Sequence, residues 1–262
     1  LNPVRHYNLQ SGLLQVGDQA DFILVDNVKE FNILETYKSG KCVAKSGRSL
    51  IEKVPVEVIN NFNPLIPVAD DLRVEATGNT LKVIQAYNGQ LVTSAVEVEP
   101  TVRDNYIVSD IERDILKLVV LNRYKPQKPA IAFIKGFNLK KGAIASTVAH
   151  DSHNIIAVGT DDDSILQSIK NVIKNKGGIS LYTIDENNSL SLPIAGLMSC
   201  DDGYVIAEKY QKINGNVQKA GSTLDAPFMT LSFMSLLVIP ELKLADKGLF
   251  DVATFSFTKS LY

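Results

Sequence analysis

Residues 146–163 read STVAHDSHNIIAVGTDDD and hold two of the chain's three histidines within four positions. His150, Asp151, Ser152, His153 and Asn154 bring imidazole, carboxylate, hydroxyl and carboxamide groups side by side. Four chemistries are open to such a group. A nucleophilic triad of Ser152, His153 and Asp151 is poor, because triad members line up through hydrogen bonds and neighbours on an extended chain diverge. Two imidazoles and a carboxylate, His150, Asp151 and His153, suit several metals. However, histidines three apart share a face only on a helix, and this segment reads as extended. The same residues at a loop tip can recognise a small polar ligand. They can also form a plain polar turn, since Asp, Ser and Asn are good turn formers.

The flanking sequence sets the frame for that group. Apolar Ala143 to Ala149 and Ile155 to Val158 bracket it, which predicts strand–loop–strand with the polar residues at the tip. Downstream, DDDSILQSIKNVIKNKGG predicts a helix. Aspartates crowd its start, Ile165, Ile169, Val172 and Ile173 form a stripe, and Gly177-Gly178 ends it. AIAFIKGF, ISLYTI, SLPIAGLMS and the closing FSFTKSLY read as strands, and YVIAEKYQKINGNVQKAG as a second helix. TLKVIQAYNGQLVTSAVEVE predicts two strands around Asn88-Gly89. DIERDILKLVVLNRY fits either state, and its β-branched run favours a strand. Residues 1 to about 50 read as short strands, with Phe22 to Val25 as one and a hairpin turning at Ser39-Gly40. NNFNPLIPVAD, rich in Asn and Pro, reads as a linker.

Composition narrows the class. With 45% hydrophobic and 21% charged residues, the 262-residue chain is of soluble globular type and long enough to bury a core. A net charge of -2 offers no general attraction for nucleic acid or an anionic membrane. The basic FNLKKG run is a possible contact point, although lysines near a turn usually form a solvated face. Cys42 and Cys200 are the only cysteines, which excludes a disulfide-rich scaffold and a cysteine-based zinc site and fits a reducing compartment. The longest apolar run, FMTLSFMSLLVIP, is too short to span a bilayer and carries Thr and Ser, so it reads as a buried element. Neither a P-loop, nor G-x-G-x-x-G, nor the H-x-E with P-C-x-x-C of zinc nucleobase deaminases is present. Met229 and Met234 could line a pocket, with core packing the favoured reading. The opening LNPVRHYNLQSGLL has no signal-peptide character and no initiator Met.

LNPVRHYNL, GLLQVGDQADFILVDN and FNILETYKSGKCVA resemble the segment that follows the metal-binding barrel in the amidohydrolase superfamily. AFIKGFNLKKGAIASTVAHDSHNIIAVGTDDD, PIAGLMS and APFMTLSFMSLLVIPELKLADKGLFDV are similar to the C-terminal domain of the adenine deaminase family. The likeness covers essentially the whole chain and is weakest from about residue 50 to 99. It implies an α+β fold in which residues 1–55 are the last strands of an amidohydrolase β-sandwich. Residues 56–70 would be a linker and 71–262 a mixed α/β domain.

The resemblance also implies hydrolysis of adenine to hypoxanthine and ammonia in the cytoplasm, by a homo-oligomer that engages neither nucleic acid nor membrane. In that family a bound metal, manganese or iron with zinc as an alternative, lowers the pKa of water so that hydroxide is available near neutrality. The family's His-x-His pair and catalytic Asp and Glu lie upstream of Leu1, so the chain is expected to hold no metal and to be an inactive C-terminal piece. His150, Asp151, Ser152, His153 and Asn154 would then contact the substrate or close its site. In the alternative reading the chain is a structural or oligomerising module, and residues 150–154 are only a turn. A third reading is a self-sufficient metal hydrolase built on His150, Asp151 and His153.

Overall fold

The computed structural model describes residues 2–9 and 13–260. The start and the Gly12 of the superfamily-like opening, and the last two residues of the expected closing strand, lie outside that range. The chain divides into two units, Leu1–Val56 and Glu57–Tyr262.

In the first unit a short helix α1 (Asn2–Tyr7), not expected among residues read as strands, precedes β1 (Phe22–Val25), β2 (Ile33–Lys38), β3 (Lys41–Lys45) and β4 (Arg48–Ser49). The four strands pair antiparallel in sequence order. Ser39 and Gly40 both adopt positive φ between β2 and β3, the turn whose twist suits a two-residue hairpin. This sheet buries no apolar face: Ile23, Leu24, Ile33 and Leu34 are 41–52% exposed.

The second unit holds β5 (Leu81–Gln85), β6 (Ser94–Val98), β7 (Val102–Arg103), β8 (Tyr106–Ile107), β9 (Leu116–Leu121), β10 (Ala130–Lys135), β11 (Ala143–Ser146) and β12 (Ile155–Gly159). They are followed by α2 (Asp162–Lys174), β13 (Gly178–Tyr182), β14 (Asn187–Ser191), α3 (Gly203–Lys219), α4 (Pro227–Ser232), β15 (Leu242–Ala245), β16 (Gly248–Asp251) and β17 (Ser256–Phe257). Eight strands form one sheet in the order β14-β13-β11-β12-β9-β10-β5-β6. All its pairs are antiparallel except β5 with β10. Helix and strand are thus mixed throughout this α/β unit.

The sheet is covered on both faces. On one, Val119, Leu121, Ala145, Ile155 and Ala157 pack against Ile165, Ile169 and Val172 of α2. On the other, Leu118, Val120, Ile144, Ile156 and Val158 pack with Ile213, Val217, Phe228 and Leu231 of α3 and α4. A strand buried on both faces carries apolar residues at successive positions, which is why LKLVVL showed no alternation and is β9. Lys117 interrupts that run. Its amine is buried and satisfied by Asp162 Oδ1 at 2.5 Å and the Leu72 carbonyl at 2.7 Å.

Helix α2 starts as its composition predicts. Asp161 is the N-cap and accepts from Ser164 N at 2.8 Å, and two more aspartates occupy the first turn. Its end differs from the expectation. Lys176 takes the left-handed position (φ 53°), with Lys176 N donating to Ile173 O and Gly177 N to Val172 O, so the cap is a Schellman motif one residue earlier. Gly177 and Gly178 answer to close approach instead: a Cβ on Gly177 would lie 2.4 Å from Gly196 Cα, and one on Gly178 2.0 Å from Leu190 O.

Three other expectations change. SLPIAGLMS is not a strand beyond Ser191: Pro193 has no N–H to donate, and Ala195 and Gly196, both at positive φ, fold the chain back so that Leu197 N reaches Ile194 O. Asn88-Gly89 does lie between paired β5 and β6, but those strands end at Gln85 and restart at Ser94, so the connection is a long loop. The Asn88 carboxamide there is bonded to Asp225. The closing strand is described only as β17. In addition, residues 59–65, within the expected linker, are strapped to the sheet unit. Asn60 Nδ2 donates to the Lys176 and Pro193 carbonyls, Asn63 N donates to Arg123 O, and Phe62 and Leu65 pack on the α2-side core.

Candidate functional site

Residues 147–154 join β11 to β12, whose register pairs Ser146 with Ile156. The connection begins as structure. Thr147 Oγ1 accepts from Gly178 N at 2.7 Å and donates to Gly196 O at 2.5 Å, tying the loop's first residue to β13 and to the Ala195-Gly196 turn. His150 N donates to the Ser232 carbonyl at 2.9 Å, and the His150 ring stacks on Phe233 with centroids 4.7 Å apart. The end of α4 is therefore the seat of His150.

The far side of the loop is held by the chain that leaves β9. Tyr124 Oη donates to Ser152 O at 2.8 Å, and Arg123 N donates to Asn154 Oδ1 at 3.3 Å. Asn154 Nδ2 reaches Ser152 Oγ at 3.2 Å. Asn154 is buried, so its carboxamide organises the loop from within. Asp151 and Ser152 are exposed, and His150 and His153 are half-buried. His153 adopts φ 52°, a conformation histidine tolerates better than most side chains, and its N–H closes back on Ala149 O at 2.7 Å.

The two imidazoles lie 5.9 Å apart, centroid to centroid. Neither hydrogen bonds nor geometry link Ser152, His153 and Asp151 as a relay; among the described residues Ser152 Oγ meets only Asn154. Nor do the described residues contain any group of three His, Cys, Asp or Glu placed to hold a metal, so His150, Asp151 and His153 do not fit one. Among the described residues the metal-hydrolase reading has no donor set. Burial is the main influence holding His153 below the ordinary histidine range. His150 and Arg123 add to it, and Asp151 opposes them.

Arg123 is the member of this cluster that reading the sequence missed. It is 4% exposed, lies 4.7 Å from the Tyr124 ring centroid, and donates from Nη2 to Tyr124 Oη at 3.0 Å. Its Nε and Nη1 have no hydrogen-bond partner among the described residues, and neither does His153 Nδ1. In LNRYKP it looks like any basic residue after a strand. The register of β9 with β12 is what reveals it. That ladder ends at Ile155 and Leu121, and just beyond it Arg123 N donates to Asn154 Oδ1, so Arg123 lies beside the loop.

Beside the loop, against the first half of α3, lies an apolar cavity of about 360 Å³. Val148, Leu192, Tyr210, Phe228 and Met229 line it, together with Ser232, whose carbonyl seats His150. Its volume suits a small ligand. Burial pushes the Tyr210 hydroxyl up.

The fold and loop define a two-sided α/β sheet domain that presents a polar wall at the end of its central strands. The adenine deaminase C-terminal domain model matches residues 90–256, and the chain belongs to that family. Its relatives include the adenine deaminases of Methanosarcina mazei (50% identical, 98% of this chain, 48% of the relative), Methanosarcina barkeri (48%, 99% and 48%) and Salinibacter ruber (49%, 98% and 47%). The chain thus spans about half the length of the curated relatives it matches. No described helix is long and apolar enough to cross a membrane.

Proposed function

We propose that the chain serves as the C-terminal part of an adenine deaminase, hydrolysing adenine to hypoxanthine and ammonia together with a barrel outside these 262 residues. The observation that carries this reading is the half-length match to adenine deaminases at 48–50% identity, joined to a polar loop braced from two sides. A manganese or iron centre in that barrel, with zinc as an alternative, supplies the activated water. This chain's share is recognition. Ser152 and His153 face the substrate, Asp151 orients a neighbouring histidine or water, Asn154 fixes the loop, and His150 is seated on α4.

The four-stranded sheet of the first unit fits the same reading as one side of an amidohydrolase β-sandwich. Its Ile23, Leu24, Ile33 and Leu34 are large apolar side chains left exposed, which a second sheet could cover. The full enzyme would be a cytoplasmic homo-oligomer. In the complete enzyme, His153→Ala or Ser152→Ala is expected to lower kcat/KM for adenine with little change in thermal stability. Wild-type kinetics with impaired stability or assembly would favour the structural module in which residues 150–154 are only a turn.

A further inference from the structure

Two hydrogen-bond chains leave Arg123, and both end on Ser152. In the first, Arg123 N donates to Asn154 Oδ1 at 3.3 Å, and Asn154 Nδ2 donates to Ser152 Oγ at 3.2 Å. A main-chain N–H is a donor only, so it fixes which end of the Asn154 carboxamide faces it and leaves the donor end for Ser152. In the second, Arg123 Nη2 donates to Tyr124 Oη at 3.0 Å, and Tyr124 Oη donates to Ser152 O at 2.8 Å. A guanidinium also only donates, so the phenol accepts from it and gives its own proton to the Ser152 carbonyl. Every link points the same way, and such chains polarise and strengthen one another. Arg123 and Asn154 are 4% and 2% exposed, whereas Ser152 stands in solvent. Both oxygens of Ser152 therefore already accept a bond from the protein side. Its hydroxyl proton meets no acceptor among the described residues.

We propose that Ser152 is a specificity-determining residue whose hydroxyl donates to the ligand, with Asn154 and Arg123 as the positioning residues that fix this polarity. Such a donor selects a ligand offering an unprotonated ring nitrogen or another acceptor at that point, and disfavours one offering an N–H. The inference rests on the reading of residues 150–154 as a substrate-facing wall and adds to it the direction of one hydrogen bond. Adenine carries groups of both kinds, ring nitrogens that accept and an exocyclic amine that donates. On this assignment Ser152 holds the ring and not the amine that leaves.

The test uses the complete enzyme and, as competitive inhibitors, the four adenines in which a single ring nitrogen is replaced by C–H. Ser152→Ala should lower kcat/KM for adenine by about 3- to 10-fold, the share of one neutral hydrogen bond. The analogue lacking the contacted nitrogen should bind parent and Ser152→Ala equally, while the other analogues show the loss. Asn154→Asp keeps an acceptor for Arg123 N but turns the Ser152 proton inward. It should reproduce the Ser152→Ala loss and add nothing to it in the double variant. A Ser152→Ala loss that is equal for adenine and all four analogues overturns the donor role, whether or not Asn154→Asp folds. An Asn154→Asp enzyme that folds and keeps the parent's kinetics also overturns it. Unchanged kinetics for Ser152→Ala goes further and sinks the substrate-facing role of Ser152 itself.

Discussion

Replacing Gly196 by alanine should destabilise the sheet unit through the same arginine. Gly196 sits at φ +69°, where an alanine costs about 1–2 kcal/mol. A Cβ there would also lie 1.9 Å from Arg123 Nη1 and 3.1 Å from Cζ, so the guanidinium must move. At 4% exposure it has little free space to move into. Its displacement gives up the 3.0 Å bond to Tyr124 Oη, a charge-assisted contact of roughly 1.5–3 kcal/mol. Together these come to about 2.5–5 kcal/mol. For a unit of this size each kcal/mol moves the midpoint by roughly 2–4 °C, so the melting temperature should fall by roughly 5–20 °C. Differential scanning calorimetry reads this directly, with far-UV circular dichroism confirming a native start. The Tyr124–Ser152 bond lies next in line, so His153 resonances should move as well. A variant that melts within about 1 °C of the parent would refute the packing argument, because it would mean that Arg123 yields at no cost.

Gly215 provides the opposite case. It lies inside α3 with nothing within 4 Å of its Cβ position, so Gly215→Ala should raise stability by about 0.5–1 kcal/mol, read as a small rise in melting temperature. Asp162→Asn leaves the buried Lys117 amine without its carboxylate and should cost about 1–3 kcal/mol in urea unfolding; an unchanged midpoint would mean that the Leu72 carbonyl alone suffices. Since His153 is held below its ordinary value, the folded state binds its proton less readily than the unfolded chain does. Its contribution is complete above about pH 6.5 and is lost as pH falls from there through the folded value, so His153→Gln should flatten that part of the acid limb. Lys243, fully buried with its amine on the Leu91 carbonyl at 2.7 Å, is pushed by burial to about 8. Stability should therefore climb between about pH 8 and about pH 10.5, and Lys243→Met should abolish the climb while stabilising the chain at pH 7.

How far the sequence could be read follows from what each signal measures. The stripe of α2 was visible because that helix packs one face on the sheet and leaves the other in water. Strand β9 showed no period because both its faces are covered, so only its β-branched residues argued for it. Ser39-Gly40 marked a real two-residue turn, whereas Asn88-Gly89, the same kind of signal, sits in a longer loop anchored through Asp225. Lys176 took the position expected of glycine because the two glycines after it were required elsewhere, by backbone passing within 2–3 Å of their Cβ positions. The polar loop could be found from composition alone, and its placement between β11 and β12 followed from its apolar flanks. Which of its residues face outward could not be found that way. Asn154 looks like a ligand-binding residue in the sequence and is buried in the fold, where its amide holds Arg123 N and Ser152 Oγ.

The burial of Arg123 bears on whether residues 150–154 are only a turn. A turn between two antiparallel strands needs residues that tolerate positive φ and backbone groups that find partners, and Tyr124, Ser232 and Asn154 already meet those needs. None of them requires a guanidinium beneath the loop. An arginine taken out of water with Nε and Nη1 unpaired works against folding, and an apolar side chain of similar volume would fill the space at lower cost. A fold that only had to reverse direction here would be more stable without it. The cost becomes intelligible if the charge acts on the loop beside it, where Arg123 N holds Asn154 and the guanidinium adds to the burial that disfavours the His153 cation. On that argument the loop's chemistry is set by a residue outside it, and the polar wall is built from β9 as much as from the histidines themselves.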